Sequence, residues 1–162
     1  MQAQITPNLW FDANAEEAAN FYVSLFPNSR IVSSQNYPEG SDKAGQVVTV
    51  EFELNGNPFV GINGGPMFTF DEAISFQITC DTQEEIDHYW DALIADGGKE
   101  SQCGWCKDRF GLSWQIVPGG MGKLFSENPE GAQRAWQEMM KMRKIDLGVL
   151  EAAAAGETAA TP

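Results

Sequence analysis

The feature that most constrains this chain is an internal repeat of one amphipathic helix. The first copy begins at Asn14, a residue type that caps helices, and Glu17 follows three positions later, as in a capping box. The second copy begins in the same way with Thr82 and Glu85. Both copies carry apolar residues at helical spacing, on matching positions: Ala18, Phe21, Tyr22, Leu25 and Phe26 in the first, and Ile86, Tyr89, Trp90, Leu93 and Ile94 in the second. We therefore predict a chain built from two copies of one structural unit.

The segments around each helix alternate between apolar and polar residues, which is typical of half-buried strands. The predicted strands are 4–11, 30–36, 46–54 and 58–63 in the first half, and 74–79, 99–103, 104–107 and 112–117 in the second. Asn55-Gly56 joins two of them as a tight hairpin. Each half is therefore predicted to be a β-α-β-β-β module. The predicted fold class is α+β, with two curved mixed sheets and a C-terminal helix.

These elements also predict the organisation of the chain. Module one covers about 4–65 and module two about 70–120, and C-terminal helices follow over about 121–150, with one of them at 129–144. We expect residues 1–150 to form a single domain. The low-complexity residues 151–162 are expected to be a mobile tail.

The acidic composition narrows the partners that the chain can bind. Its formal charge is −13 and its pI is near 4.3, whereas binding to nucleic acids and to anionic membranes depends on Lys and Arg. We therefore expect neither a nucleic acid nor a membrane as partner. No apolar run reaches membrane-spanning length, and residues 1–7 lack the basic and apolar parts of a signal peptide, so we expect a cytoplasmic protein.

One face of each predicted sheet is polar, and in the first half this face also carries a tryptophan. Its residues are Asn8, Trp10, Thr49, Glu51 and Glu53 in the first half, and Ser75, Gln77, Thr79, Ser113 and Gln115 in the second. Such a face suits a small-molecule pocket, but it also suits a sheet face in contact with solvent. For the pocket, the predicted ligand-binding residues are Asn8, Trp10, Glu51, Ser75, Gln77 and Gln115.

Paired modules of this kind, together with several short motifs, resemble a known family. The motifs are Leu9-Trp10-Phe11-Asp12, Ala15-Glu16-Glu17-Ala18, Phe21-Tyr22, Leu25-Phe26-Pro27-Asn28-Ser29 and Gly104-Trp105-Cys106-Lys107-Asp108-Arg109-Phe110-Gly111. They are similar to those of the PhnB-like branch of the vicinal oxygen chelate superfamily, which is often labelled 3-demethylubiquinone-9 3-methyltransferase-like. The superfamily includes glyoxalase, bleomycin-resistance proteins and dioxygenases. The resemblance covers about residues 4–152, and it implies a homodimer with ligand sites in concave cups.

The resemblance also makes a metal site testable residue by residue. Metal-using members place His or Glu at four strand positions, which fall here at Pro7 or Asn8, Glu51, Ser75 and Gln115. Only Glu51 is a good ligand, and the one histidine, His88, lies on a predicted helix, so we expect no metal. We expect no cofactor either, because no Gly-rich turn between a strand and a helix supports the methyltransferase label.

Three functional classes follow from these observations. The leading hypothesis is a metal-independent small-molecule-binding protein of the superfamily, with an unknown ligand. The alternative is a metal-dependent lyase, isomerase or dioxygenase with an atypical site around Glu51, which would then be the catalytic candidate. The third class is a redox or zinc protein built on Cys103 and Cys106. The residues that flank this pair are predicted to be strand and turn rather than the start of a helix, and only Cys80 is left as a further thiol ligand, so two ordinary thiols are the favoured interpretation.

Overall fold

The computed structural model describes residues 5–157 and contains the two predicted β-α-β-β-β modules. The elements of the first are β1 (Asn8–Phe11), α1 (Ala15–Leu25), β2 (Arg30–Asn36), β3 (Val47–Leu54) and β4 (Asn57–Asn63). Its sheet has the strand order β1-β4-β3-β2. The first strand pairs in parallel with the last, and the other two pairs are antiparallel. Asn55 and Gly56 both have positive φ in the turn between β3 and β4, as the predicted hairpin requires.

The second module repeats this topology. Its elements are β5 (Phe76–Cys80), α2 (Gln83–Ile94), β6 (Lys99–Glu100), β7 (Trp105–Lys107) and β8 (Ser113–Pro118). The strand order β5-β8-β7-β6 matches that of the first sheet, again with the outer pair parallel. The predicted mixed α+β fold with two modules is therefore confirmed. The concave cup stays a prediction.

The alternation in the strands sorts core from surface largely as predicted. Leu9, Phe11 and Phe52 are buried in the first unit, and Trp114 and Ile116 are buried in the second. Both helices bury their stripes against the apolar faces of their own sheets. Among the five aromatic residues of the two stripes, Tyr22 and Trp90 are buried, while Phe21, Phe26 and Tyr89 are half-buried.

Two residues expected on the apolar face are instead exposed. Ile5 is 94% exposed and Ile74 is 58% exposed. Both were predicted to lie inside a strand, but the strands begin later, at Asn8 and Phe76. They lie before the first paired residue of each sheet, so alternation no longer decides which way their side chains point.

The two helices begin differently, and only one has the predicted capping box. The Thr82 side chain accepts a hydrogen bond from the Glu85 backbone N–H, and the Glu85 side chain accepts from the Thr82 backbone N–H. The Asn14 side chain makes no such bond. Its function is taken by Asn63, whose Oδ1 accepts from Ala15 N at 2.8 Å. The predicted capping box at Asn14 is therefore wrong, because the cap of α1 is provided by Asn63, a buried residue at the end of β4.

Three helices follow the second sheet: α3 (Met121–Glu127), α4 (Pro129–Met139) and α5 (Leu147–Ala155). The helix predicted at 129–144 ends five residues early, because the chain beyond α4 runs along the second sheet. There the Met142 and Arg143 carbonyls accept hydrogen bonds from Cys103 N and Gly104 N, both at 2.8 Å. Helix α5 extends through residues 151–155, which were predicted to belong to a mobile tail. Residues 158–162 of that tail lie outside the described part of the chain.

Side chains of α2 also bind the segment between α4 and α5. Gln83 Nε2 donates to the Ile145 carbonyl at 3.0 Å, and Gln83 Oε1 accepts from Leu147 N at 2.9 Å. Lys144 Nζ lies 2.8 Å from Asp87 Oδ1, and Ile145 itself is buried. A side chain that satisfies two backbone groups in this way holds the segment at one register on the helix.

Backbone contacts group into two compact units that meet in sequence between Phe70 and Asp71. The expected single domain over 1–150 stays a prediction. Between residues 5 and 157, no helix is long and apolar enough to cross a bilayer. The cytoplasmic location also stays a prediction.

The role of Asn63 can be tested by a pair of substitutions. Asn63→Ala removes the cap of α1 and leaves the Val47 carbonyl without the bond it accepts from Asn63 Nδ2, so it should cost about 1–3 kcal/mol of unfolding free energy. Asn14→Ala should change it by about 0.5 kcal/mol or less. Urea unfolding followed by circular dichroism measures both. An equal loss from the two variants would contradict this assignment.

Candidate functional site

In the first unit, the strand register brings predicted site residues into one row across the sheet. Asn8 and Glu51 both pair with Val60, one from each side, and Ser33 pairs with Glu51. Residues that pair directly across strands share a face. The row therefore runs Asn8, Val60, Glu51, Ser33, and three of its four side chains are polar, as the alternation predicted.

Glu51 has a neighbour that the sequence did not reveal. Its Oε2 accepts a hydrogen bond from Ser33 Oγ at 2.9 Å. The next carboxylate on the strand, Glu53, is held by Arg30, with Nε donating to Oε2 at 2.8 Å and NH2 donating to Oε1 at 3.2 Å. Glu53 is therefore neutralised by an arginine, and Glu51 remains the one carboxylate in its row.

The four positions at which metal-using members of the superfamily place ligands carry few good metal donors in this chain. They hold a single carboxylate, and the hydroxyl of Ser75 is already bonded to the amide of Gln115. Between residues 5 and 157, no three His, Cys, Asp or Glu side chains are grouped so that they could hold a metal ion. A divalent transition metal needs three or four N, O or S ligands. This donor set does not provide them.

Trp10 is held against the end of its own sheet. Its Nε1 donates to the Gly65 carbonyl at 2.8 Å, and its ring meets Phe68 edge-on at a centroid distance of 5.1 Å. A Cβ on Gly64 would lie 2.1 Å from Trp10 Cζ2, so the indole lies directly on the glycine backbone. The polar atom of the ring is satisfied within the unit. Trp10 can therefore offer a ligand an apolar surface but no hydrogen bond.

The second unit places the other three predicted residues close together. Gln77 pairs with Gln115 across the parallel strands. Gln115 Nε2 donates to Ser75 Oγ at 2.7 Å, and Gln77 Nε2 donates to Thr79 Oγ1 at 3.2 Å. The carbonyl oxygen of Gln77 accepts no hydrogen bond from the described residues. Ser113, expected on this polar face, is instead buried, and its Oγ donates to the Asp71 carbonyl at 3.3 Å.

A cavity of about 380 Å³ opens on this face of the second sheet. Gln77 and Thr79 form its polar side, and Trp136 and Met139 of α4 lie among its apolar lining residues. Val117 and the segment from Pro118 to Gly122 complete the wall. Of the six predicted ligand-binding residues, Gln77 alone lines this cavity.

Sequence reasoning missed the contribution of α4. In the helix predicted at 129–144, Trp136 shares an apolar stripe with Ala132, Ala135 and Met139, which predicts that it packs against the rest of the protein, yet 47% of its surface is exposed. A large aromatic residue that stays half exposed on a helix facing a cavity is a feature of binding sites. The stripe itself was visible in the sequence. What it faced depended on where the helix docked, and the sequence carries no signal for that.

A second cavity, of about 330 Å³, lies in the first unit beside the start of α1. Asp12, Glu16, Tyr37 and Lys43 are among its lining residues. It contains none of the predicted site residues. Lys43 Nζ lies 5.5 Å from the centre of the Tyr37 ring, and the Tyr37 hydroxyl donates to the Asn63 carbonyl. These contacts close the loop before β3 over the helix cap, which gives this region a structural role.

The two neighbouring cysteines differ in exposure, since Cys103 is partly exposed and Cys106 is buried. Cys106 is buried, and burial raises the pKa of its thiol to about 12, so the thiol stays protonated at neutral pH. Burial also raises the pKa of Cys80 to about 11. All three cysteines are free.

Gly104, between Cys103 and Cys106, has φ of +80°, and a Cβ there would lie 2.3 Å from the Ile116 carbonyl oxygen. Backbone packing therefore explains this glycine.

The segment from Gly104 to Gly111 is organised by one buried carboxylate. Asp108 Oδ1 accepts from Phe110 N at 2.9 Å and from Leu112 N at 3.1 Å. Its Oδ2 accepts from Trp114 Nε1 at 2.9 Å. The carboxylate thus fixes the turn between β7 and β8 to the core of the sheet. It acts in folding rather than at the candidate site.

The assignment of two different faces to β5 can be tested by neighbouring substitutions. Ile78→Ala truncates a buried core residue and should cost about 2–5 kcal/mol of unfolding free energy. Gln77→Ala, one residue away on the exposed face, should change it by about 0.5 kcal/mol or less. Both are measured by denaturant unfolding. If Gln77→Ala destabilises the protein as much as Ile78→Ala, both faces are core and the cavity is not a binding site.

Comparison with known proteins agrees with the motifs and the fold. The family profile described as 3-demethylubiquinone-9 3-methyltransferase matches residues 3–117. A PhnB protein of Bacillus cereus, provisionally described by the same name, is 39% identical, with 72% of this chain and 100% of that chain covered and a TM-score of 0.65. A comparison with curated proteins gives no significant match.

Two less similar structures share the fold. A Pseudomonas aeruginosa protein is 20% identical, with 72% of this chain and 98% of that chain covered and a TM-score of 0.60. The fosfomycin resistance protein FosX of Mesorhizobium loti is 11% identical, with 78% and 99% covered and a TM-score of 0.56. By the profile match and the 39% identical relative, the chain belongs to the family described as 3-demethylubiquinone-9 3-methyltransferase, the PhnB-like branch of the vicinal oxygen chelate superfamily.

Proposed function

We propose that this protein binds a small molecule without a metal ion, in the cavity on the polar face of the second sheet. The observation that carries the proposal is the composition of that cavity. It combines the amide of Gln77 and the hydroxyl of Thr79 with the apolar surfaces of Trp136 and Met139. Small-molecule sites typically have mostly apolar walls and a few directional polar groups.

The polar groups of the cavity are suited to recognition. Gln77 donates to Thr79, so the Gln77 carbonyl oxygen is left to accept a hydrogen bond. The Thr79 hydroxyl accepts that bond and keeps its own hydrogen to donate. A ligand group with an adjacent donor and acceptor would satisfy both. Trp136 provides a flat apolar surface beside them.

The metal-dependent alternative has less support. A lyase, isomerase or dioxygenase of the superfamily would need further ligands next to Glu51, and its described neighbours in the row are an amide, a valine and a hydroxyl. Glu51 remains the weak catalytic candidate. It accepts a hydrogen bond from Ser33.

Methyl transfer is not part of the proposal. The two Gly-Gly pairs follow β4 and β8, and their amides are used to close the sheets. Gly64 N donates to the Phe11 carbonyl at 2.9 Å, and Gly119 N donates to the Cys80 carbonyl at 2.7 Å. Contrary to the sequence expectation, Gly119-Gly120 does lie between a strand, β8, and a helix, α3. Gly120 and Gly122 are not followed by the third glycine of the G-x-G-x-x-G pattern, however, so this turn does not match the usual cradle for a nucleotide-like cofactor.

We also propose that the protein partner is a second copy of the chain. Strand β2 is a seven-residue edge strand, with Ile31 38% exposed and Val32 48% exposed. Exposed apolar edges are usually covered, and symmetric dimers are the commonest solution. Light scattering at micromolar concentration should give about twice the 17.8 kDa of one chain. A monomer mass would overturn this part of the proposal.

The binding proposal can be tested with neutral probes and protein NMR. Benzamide, phenol and indole at millimolar concentration should shift the resonances of Gln77, Thr79 and the Trp136 indole, and excess EDTA should not change the result. Gln77→Met should weaken benzamide binding about tenfold, since it removes one hydrogen-bonding partner of a buried ligand group. Gln102→Met is the matched control, because Gln102 is exposed and lies outside the cavity.

Each negative outcome has a definite meaning. If none of the probes shifts these three residues, the cavity is not the binding site. If EDTA abolishes the shifts and added zinc or manganese restores them, the metal-dependent alternative replaces the proposal. If Gln102→Met weakens benzamide as much as Gln77→Met does, the amide of Gln77 is not the recognition group.

A further inference from the structure

The cavity beside Gln77 adjoins a second one in the same unit. We call the first the head cavity. The second, of about 280 Å³, is the tail cavity, and its walls include Leu147, Leu150 and Ala154 of α5. Both cavities are lined by Pro118, Gly119, Gly120 and Met121. The end of β8 and the first residue of α3 therefore separate two spaces that lie side by side.

The lining residues become less polar from the head cavity to the tail cavity. The head cavity contains an amide and a hydroxyl. In the tail cavity, Leu147, Leu150 and Ala154 offer only apolar side chains, and Glu151 is the polar residue, with an exposed side chain. Along the line from Thr79 to Ala154, the walls therefore change from hydrogen-bonding to apolar. A molecule lying in both would have one polar and one apolar end.

The residues that line the head cavity also indicate the charge of the molecule that it would bind. Charged residues make up 20% of the chain, yet none of the described residues that line the head cavity is charged. Placing an ion in such a space without a partner is costly. The excess of acidic residues elsewhere in the chain would also disfavour an anion. The occupant of the head cavity is therefore neutral.

The wall between the cavities has room where a chain would cross it. Gly120 has φ of +77°, and a Cβ built on it would meet nothing within 4 Å, so the space beside it is open. Its neighbour Gly119 must lack a side chain for another reason, because a Cβ there would lie 2.2 Å from Asp81 Oδ1. Because these two successive residues have no side chains, they form only a low barrier between the head and tail cavities.

We propose that the ligand is a neutral, elongated molecule with a flat hydrogen-bonding head and an unbranched apolar tail. The head lies between Gln77, Thr79 and Trp136, and the tail crosses Gly120 and lies against Leu147, Leu150 and Ala154. The proposal rests on the proposed function, since it assigns a ligand class to the same site. It adds the tail cavity as a second subsite.

This subsite is built by a part of the chain outside the family match. The match covers residues 3–117, whereas the walls of the tail cavity come from Pro118 onward. Trp136 and Met139 of the head cavity also lie beyond it. The apolar tail subsite is therefore a property of the C-terminal part of the chain, whereas the polar groups that bind the head come from β5 of the second module.

The first test uses the unmodified protein and a series of neutral probes of increasing length. Isothermal titration calorimetry would compare benzamide, para-propylbenzamide and para-hexylbenzamide. Each methylene buried in the tail cavity should tighten binding about fourfold. The charged para-hexylbenzoate should bind at least about tenfold more weakly than para-hexylbenzamide, because its carboxylate would be desolvated without a partner.

The second test uses two matched variants of α5. Ala154→Met fills the tail cavity, so it should abolish the advantage of the hexyl over the unsubstituted probe while leaving benzamide affinity within about twofold. Ala155→Met adds the same side chain at an exposed position of the same helix and should leave the advantage intact. If Ala154→Met does not fold, the series of probes of increasing length still tests the elongated ligand on the unmodified protein.

The outcomes separate this inference from the proposed function. Benzamide binding at Gln77 without any dependence on chain length would overturn the elongated ligand and leave the proposed function standing. A length dependence that persists in a folded Ala154→Met variant would place the tail elsewhere and overturn the subsite. If no probe of any length binds, both proposals fail. Equal affinity for para-hexylbenzoate and para-hexylbenzamide would contradict the proposal that the head of the ligand is neutral.

Discussion

The structure of each unit depends on one long-range interaction, the parallel pairing of its first strand with its last. In the first unit, β1 pairs with β4 and in the second β5 pairs with β8. The pairing continues past the strand ends, where Gly64 N and Gly119 N donate to the carbonyls of Phe11 and Cys80. Loop-closure entropy opposes contacts between such distant segments, and the covering helix offsets this cost by burying the apolar face. The same pairing sets Thr79 beside Val117, so two parts of the cavity wall are brought together by the closure of the unit.

Buried polar side chains then fix the details that hydrophobic burial leaves undefined. Asn63 in the first unit joins the start of α1 to β3. Asp108 in the second joins the turn between β7 and β8 to Trp114, and Gln83 holds the segment before α5. Apolar contacts favour compactness without direction, whereas these bonds are directional and costly to leave unmade. Each unit therefore has one defined strand register and one helix start.

The sequence predicted local structure better than it predicted how distant parts meet. Alternation and the repeated helix gave both modules, the hairpin at Asn55-Gly56 and the exposed face that carries Gln77, because these follow from residues close in sequence. The cap of α1 by Asn63 could not be predicted, since the two partners are far apart along the chain. The position of Trp136 was missed for the same reason. Four of the ten residues that line the cavity belong to α3 and α4. The segment after α4 is held by backbone bonds to Cys103 and Gly104, which leave no periodic pattern in the sequence.

The attachment of the C-terminal helices has a consequence for local stability. They join the second unit through a few side-chain and backbone bonds around Ile145, whereas the sheets are held by continuous ladders. Segments fastened in this way open more readily than the core, as separate cooperative units. Amides of α5 should therefore exchange with solvent faster than those of β8, and a bound molecule should slow them. Substitutions in these helices can also reshape the cavity wall while the folding of the paired modules stays unchanged, which leaves ligand preference free to diverge within a conserved architecture.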